Sequence, residues 1–248
     1  MPRSDYGGFC GRARLAVTAR VLLVDDEPSI RTMLRGYLQA DGFAVTEAID
    51  GEQAMARLRG EPADVVLLDI MLPGMDGLEV LRQIRTSSDA FVILISARSE
   101  EVDRLVGLGL GADDYISKPF SPREVVARVK AMLRRGRAEQ VGAPLRFGEL
   151  AIDAAGRTVS IAGAEVTLSS LEFDLLLALA QAPGRVFSRQ QLLERVWGYD
   201  FFGDERVVDV HIGNVRAKLG DDAAAPRLIA TVRGAGYKFV GAVPAATP

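Results

Sequence analysis

The sequence predicts an α/β doubly wound fold, a five-stranded parallel sheet, followed by an α+β domain. Three observations predict it. Between Arg20 and Gly136, apolar runs of strand length alternate with amphipathic stretches, five strand–helix units in succession, the pattern of a parallel sheet with helices on both faces. A stretch rich in small and polar residues, Gly136 to Pro144, then breaks the regularity. Beyond it come short strand-like runs, three helical stretches and a closing hairpin. The 248 residues suit two domains at roughly 100–200 residues each. We read 1–19 as an extension, 20–136 as the first domain, 137–144 as a linker, 145–241 as the second domain and 242–248 as a tail.

The apolar runs of the first domain are Val21–Val24, Phe43–Val45, Val65–Leu68, Phe91–Ile95 and Tyr115–Ile116. The first, third and fourth are near-continuous β-branched or leucine segments, which suits strands buried on both faces. The amphipathic stretches begin near Pro28, Gly51, Gly77, Ser99 and Ser121; Pro28 and Pro122 stand where a first-turn proline is tolerated. The last helix runs through Val125, Val126, Val129 and Leu133. In the second domain the strand-like runs are Leu145–Ile152, Thr158–Ile161 and Glu165–Leu168. A leucine-rich helix carries Leu171, Leu175, Leu176 and Leu179, another spans Ser188 to Trp197, and a third runs from about Glu205 to Leu219. Leu228–Val232, the turn Gly234-Ala235-Gly236 and Tyr237–Val240 read as a hairpin.

Composition excludes several classes. The single cysteine, Cys10, forbids an internal disulfide and a cysteine-cluster metal site. No apolar run reaches the ~18 residues of a membrane span. Residues 1–19 carry Arg3, Arg12 and Arg14 but no apolar h-region, so they read as a loose tail or the product of a start codon placed too far upstream rather than a secretory signal; the expected location is cytoplasmic. The net charge is -3, so the chain as a whole is not the basic kind that advertises nucleic-acid binding. The exception is residues 206–240, with six Lys/Arg against three acids. Any nucleic-acid surface belongs there.

In an open doubly wound sheet, ligands bind beyond the carboxyl ends of the strands where strand order reverses. For a flavodoxin-like order 2-1-3-4-5, that point lies between the first and third strands. Asp25 and Asp26 follow the first strand and Asp69 follows the third. Three converging carboxylates need a cation, and hard oxygen ligands with few protein partners suit Mg²⁺. Ser96 ends the fourth strand and Lys118 the fifth, placing a hydroxyl and an ammonium at the same rim, where they can bind phosphoryl oxygens. Singly, these residues also serve as turns, caps or solvated charges; the five together at strand ends are a specific signal.

These residues carry a resemblance. Val24-Asp25-Asp26-Glu27, the run from Asp69 to Gly77, Ser96-Ala97-Arg98 and the run from Gly111 to Phe120 resemble the receiver domains of response regulators. The resemblance implies that Asp69 takes a phosphoryl group from a phosphohistidine on a partner sensor histidine kinase. It implies Mg²⁺ held by Asp25, Asp26, Asp69 and the backbone carbonyl of Met71, with Lys118 on the phosphate oxygens and Ser96 and Tyr115 as switch residues. On the face of the fourth helix, fifth strand and fifth helix stand Arg104, Leu108, Asp114, Glu124, Val126 and Arg128. In the OmpR/PhoB family the matching positions form a symmetric homodimer interface; ordinary exposed helix charge is the alternative, and such pairs contribute only about 0–1 kcal/mol each.

In the helix from Arg206 to Leu219, Val207, Val210, Val215 and Leu219 could pack inward, while Arg206, Asn214, Arg216 and Lys218 are polar. Such a helix can lie in the major groove, where arginine suits guanine or phosphate and asparagine suits adenine. Arg233 precedes the hairpin turn and Tyr237 and Lys238 follow it; an arginine at a hairpin tip can reach DNA phosphate. A solvated helix face explains the same charges. The segments Ser188 to Trp197, Val208 to Ile212 and Thr231 to Tyr237 resemble the OmpR/PhoB winged helix-turn-helix domain. That implies double-stranded promoter DNA as a partner, read by Arg206, Asn214, Arg216, Lys218, Thr231, Arg233 and Tyr237. The loop with Tyr199, Phe201 and Phe202 resembles the family loop that contacts RNA polymerase, although buried packing would use the same aromatics. Gly213 interrupts the reading helix at about 1 kcal/mol relative to alanine, and with Asn214 stands where some relatives carry basic residues. His211, the only histidine, reads as a packed helix residue, so the chain holds no phosphodonor histidine of its own.

The reading is thus a phosphorylation-gated transcription regulator and not an enzyme, though its receiver assists its own phosphotransfer and dephosphorylation. A phosphorylation-independent DNA-binding protein with a vestigial receiver is the alternative, and a phosphatase of doubly wound fold is a third, for which no substrate domain is visible.

Overall fold

The computed structural model describes residues 18–97, 106–135 (the backbone alone for 134 and 135), 144–198 and 205–242. Cys10, most of the N-terminal extension, the helix start near Ser99, Arg104, nearly all of the linker, Tyr199, Phe201, Phe202 and most of the C-terminal tail lie outside the described residues.

The first unit holds β1 (Arg20–Val24), α1 (Pro28–Ala40), β2 (Ala44–Ala48), α2 (Gly51–Gly60), β3 (Val65–Asp69), α3 (Gly77–Ser87), β4 (Phe91–Ser96), β5 (Asp114–Ser117) and α4 (Pro122–Arg135). All strand pairs are parallel and the order is β2-β1-β3-β4-β5. This is the doubly wound sheet expected from the sequence. β3 and β4 are buried at every residue and β1 at all but Arg20, as unbroken apolar runs covered by helices on both faces require. β2 extends three residues past the expected Phe43–Val45, because on this half-covered edge strand Thr46 and Glu47 keep their backbone bonds beside β1 without full burial. Pro28 opens α1, and Asp50 and Asp76 cap α2 and α3 by accepting the Gln53 and Leu78 N–H groups. Residues 106–109 are helical.

The second unit opens with an antiparallel sheet: β6 (Leu145–Phe147), β7 (Leu150–Asp153), β8 (Thr158–Ile161) and β9 (Ala164–Glu165). The expected single run Leu145–Ile152 is two strands, turned by Gly148 at φ +59°, a backbone region open chiefly to glycine. The expected run Glu165–Leu168 pairs only at its start, and the chain then enters a capping box of Ser169 and Glu172. Three helices follow, α5 (Ser170–Ala180), α6 (Arg189–Val196) and α7 (Arg206–Leu219), with a small sheet ordered β10-β12-β11: β10 (Val186–Phe187), β12 (Gly236–Phe239) and β11 (Ile229–Val232). β11 and β12 are the predicted hairpin; β10 was not anticipated. The helices and hairpin make the winged-helix arrangement. Gly236, at φ +137°, lies so close to the Phe187 carbonyl that an added Cβ would sit 2.0 Å from its oxygen. The Phe147 and Phe239 rings meet at 4.6 Å between centroids and join the two small sheets. Among the described residues, no helix is long and apolar enough to cross a membrane.

Candidate functional site

Four of the five strands of the receiver-like sheet deliver a functional residue where the apolar run stops. Asp25 follows β1, Asp69 ends β3, Ser96 ends β4 and Lys118 follows β5. Parallel pairing therefore gathers all four at one rim. Asp25, Asp69 and Ser96 are buried, while Asp26 is exposed. Carboxylate oxygens of Asp25, Asp26 and Asp69 all lie within 4.8 Å of one another. The Lys118 ammonium crosses the rim, with Nζ 2.6 Å from Asp69 Oδ2 and 2.9 Å from Asp25 Oδ2. Its backbone N–H donates to the Ser96 carbonyl at 2.7 Å.

The other carboxylate oxygens of Asp25 and Asp69 are held by the backbone. Asp25 Oδ1 accepts the Glu27 N–H and Asp69 Oδ1 the Met71 N–H, each at 2.8 Å. Arg31 Nη1 donates to the Asp25 carbonyl at 2.7 Å and Arg31 Nε lies 3.7 Å from Glu47; the sequence reading passed over this clamp. Gly77 is packed so tightly behind Asp69 that a Cβ would fall 2.1 Å from the Asp69 carbonyl oxygen.

Burial pushes the Asp25 carboxyl above its ordinary value, and the Lys118 ammonium and the Glu27 N–H only partly offset this. Burial works against the Lys118 ammonium as well, but the hydrogen bonds and charges of Asp69 and Asp25 outweigh it and hold its pKa above the ordinary lysine value. One ammonium faces three carboxylates. That imbalance and the all-oxygen donor set fit a hard divalent cation.

Tyr115 is buried on β5, while Met71 projects beside the site with 53% of its surface exposed. Of the expected interface residues, Leu108, Asp114, Val126 and Arg128 are buried within this one chain. Arg128 Nη1 lies 2.7 Å from Asp114 Oδ2 and Nη2 2.7 Å from Glu124 Oε1, and although burial disfavours its charge, these two acids raise the pKa of the guanidinium.

The residues expected to read DNA divide into two groups. Arg206, Thr231 and Arg233 are exposed. Arg216, at 8% exposure, turns inward: its guanidinium donates to the Ile229 carbonyl at 2.7 and 3.2 Å and to Thr231 Oγ1 at 2.9 Å. Tyr237 is buried and its hydroxyl donates to Asp209 Oδ1 at 2.6 Å, where Arg189 Nε also bonds at 2.7 Å. Lys218 reaches the fully buried Glu172 at 2.6 Å. Asn214 Nδ2 donates to the Leu108 carbonyl at 3.2 Å. Val210, expected to pack inward, is only partly buried, while Val208, His211 and Ile212 are buried. His211 packs against Trp197 at 5.5 Å between ring centroids. Gly213 leaves α7 continuous, and its outer face is open. The roles of Asp209 and Arg189 were not foreseen.

Comparison with known proteins agrees with this geometry. Residues 21–130 match the response regulator receiver domain family and residues 163–239 the family of C-terminal transcriptional regulatory protein domains. The chain is 46% identical to the sensory transduction protein RegX3 of Mycolicibacterium smegmatis, covering 89% of this chain and 99% of the relative. It is also 46% identical to the DNA-binding response regulator MtrA of the same organism, covering 88% and 96%. The crystal structure of the response regulator DrrB, a Thermotoga maritima OmpR/PhoB homologue, aligns at TM-score 0.50 and 37% identity over 90% of this chain and all of that one. A receiver sheet with its acids at the rim, joined to a winged helix and matched along almost its whole length by such relatives, leaves one assignment: the chain belongs to the OmpR/PhoB family of two-component response regulators, and it is a DNA-binding transcription regulator.

Proposed function

We propose that Asp69 is the phosphoacceptor. A carboxylate oxygen of Asp69 attacks the phosphorus of a phosphohistidine on a partner histidine kinase; the new O–P bond forms as the P–N bond breaks, and the imidazole leaves with the electron pair. Mg²⁺, held by Asp25, Asp26, Asp69 and the Met71 carbonyl, would neutralise charge on the acceptor and the incoming phosphoryl group. Lys118, already at 2.6 Å from Asp69, pairs with the phosphoryl oxygens. Ser96 turns its hydroxyl toward them and Tyr115 moves inward behind it. The receiver itself assists phosphotransfer and later dephosphorylation; it turns over no separate substrate.

Phosphorylation acts by population shift, since the phosphoryl group binds one receiver state better than the other. The favoured state dimerises through Arg104, Leu108, Asp114, Glu124, Val126 and Arg128, and the paired winged helices bind promoter half-sites in the cytoplasm. Tyr199, Phe201 and Phe202 belong to the segment that meets RNA polymerase. The observation that carries this reading is Lys118 spanning Asp25 and Asp69 across two strand ends, because it marks where an added phosphoryl group finds a cation. The test is labelling by an acyl phosphate with Mg²⁺: the native chain takes up label and Asp69→Ala does not. Label retained by Asp69→Ala refutes the assignment.

A further inference from the structure

Asp25 is held from four directions, and one of them is a side chain that stands outside the rim. Its N–H donates to the Ala48 carbonyl at 3.3 Å. Its Oδ1 accepts the Glu27 N–H and its Oδ2 the Lys118 ammonium. Its own carbonyl oxygen accepts Arg31 Nη1 at 2.7 Å. Arg31 is the fourth residue of α1. Helical side chains lean toward the N-terminus of their helix, so this guanidinium runs back over the turn that carries Asp25 and Asp26. Glu47 of β2 backs it: Arg31 Nε lies 3.7 Å from Glu47 Oε2, while Glu47 Oε1 lies 2.9 Å from Arg35 Nη1.

The electrostatics of the helix oppose this placement. A cation near a helix N-terminus faces the positive end of the macrodipole, and α1 has no acidic residue in its first turn to offset it. The side chain is also largely out of water, with 13% of its surface exposed. Nor is Arg31 what seats the helix, because Leu34 and Leu38, both at 0% exposure, join α1 to the core. What the guanidinium holds is the peptide between Asp25 and Asp26.

Asp26 is the exposed member of the three acids. Its direction follows from the peptide before it. A peptide is planar, so gripping the Asp25 oxygen also fixes where the Asp26 Cα leaves that plane. The three carboxylates lie within 4.8 Å of one another and repel, which drives the exposed one outward to water. A fixed peptide resists that swing.

We propose that Arg31 is a positioning residue of the cation site: from α1, with Glu47 behind it, it holds the Asp25–Asp26 peptide so that the Asp26 carboxylate stays beside Asp69. It thereby sets the affinity for Mg²⁺ without touching the ion. The proposal rests on the Mg²⁺-assisted acceptor reading above.

The test uses the full chain and Mg²⁺ alone. The urea midpoint is followed as Mg²⁺ is raised from chelator, since an ion that binds only the folded chain stabilises it once its concentration passes the dissociation constant. Arg31→Met keeps an apolar stem and removes the donor. Its midpoint should begin to rise at about tenfold higher Mg²⁺ than in the native chain, the usual effect of losing a group behind a metal ligand. The sign separates position from charge. Deleting a nearby positive charge would strengthen Mg²⁺ binding if Arg31 acted only through its field, so a rise that begins at the native concentration or below overturns the proposal. The midpoint in chelator reads any purely structural role; stability lost there with a native Mg²⁺ response also overturns it. Acyl-phosphate labelling gives a second readout. The Mg²⁺ needed for half-maximal rate should move up by the same factor while the rate at saturating Mg²⁺ stays native; a lower saturated rate with unchanged half-saturation contradicts the assignment. Arg31→Gln, neutral and shorter than arginine, is expected to behave alike and carries the test should the methionine variant not fold. If the native midpoint does not respond to Mg²⁺, the cation site falls and the role of Arg31 with it. A native response shared unchanged by both variants removes the role of Arg31 alone.

Discussion

The ammonium of Lys118 stands 2.6 Å from the Asp69 carboxylate, joining the ends of β5 and β3 across 49 residues of chain. The same ammonium is 2.9 Å from Asp25, so it neutralises charge between two buried acids. Truncating one partner of such a group strands the rest, at about 3–5 kcal/mol. Lys118→Ala should therefore lower stability by about 3 kcal/mol in chelator, and Mg²⁺ should restore more stability to the variant than it adds to the native chain. Urea unfolding with and without Mg²⁺ checks this; equal Mg²⁺ increments contradict it.

Gly77 matters because the Asp69 carbonyl leaves it no room. A Cβ there would lie 2.1 Å from that oxygen and 2.7 Å from Ile70 Cα, and both obstacles are backbone. Gly77→Ala should move the acceptor strand end, reducing acyl-phosphate labelling at least tenfold, a cost of about 1.4 kcal/mol in positioning. Native labelling rates in the variant would show that the strand end tolerates the shift.

Tyr237 titrates late. Burial first, then its bond to the Asp209 carboxylate, push the phenol up to about 12 against an ordinary 10.0, with Arg189 and Arg216 pulling the other way. The fold thus favours the neutral phenol. Its contribution is complete below the unfolded value and is lost as pH rises through the folded one. Between pH 10 and about 12 the native chain should lose stability that Tyr237→Phe does not lose. Urea midpoints across that window are the measurement, and parallel profiles contradict the assignment.

Arg233 is exposed beside the β11–β12 turn, whereas Arg216 is occupied with Ile229 and Thr231. A phosphate contact from Arg233 is sequence-independent. Arg233→Ala should weaken binding to all DNA sequences alike and reduce the salt slope by about 1. A loss confined to particular sequences would instead mean base reading by this residue.

The sheet and its rim were legible because each strand is an apolar run that stops at a polar residue: Val24 before Asp25, Leu68 before Asp69, Ile95 before Ser96. The strand order was expected from the flavodoxin-like class, one of the two common orders of such sheets. The winged helix was harder to read. β10 is two residues long, too short for any periodicity to register. Arg216 was expected to read DNA, yet its neighbours Val215 and Leu219 face the core and its guanidinium finds a strand carbonyl that only the tertiary fold supplies. Glu172 is buried with one carboxylate oxygen, Oε2, held by both the Ser169 N–H and Lys218; the Ser169-to-Glu172 spacing was a usable signal for the cap. The contacts of Trp197 and Asn214 with the receiver join residues 84 and 106 positions apart, which no local pattern encodes.

The central claim is that phosphorylation of Asp69 controls DNA binding, and the most direct test is one titration. DNA selected from genomic fragments is titrated with the full chain, with and without acyl phosphate and Mg²⁺, alongside Asp69→Ala. The account predicts tighter binding by the native chain when phosphodonor is present and no response from Asp69→Ala. Equal affinity of the native chain under both conditions would contradict it and favour a DNA-binding protein whose receiver no longer signals.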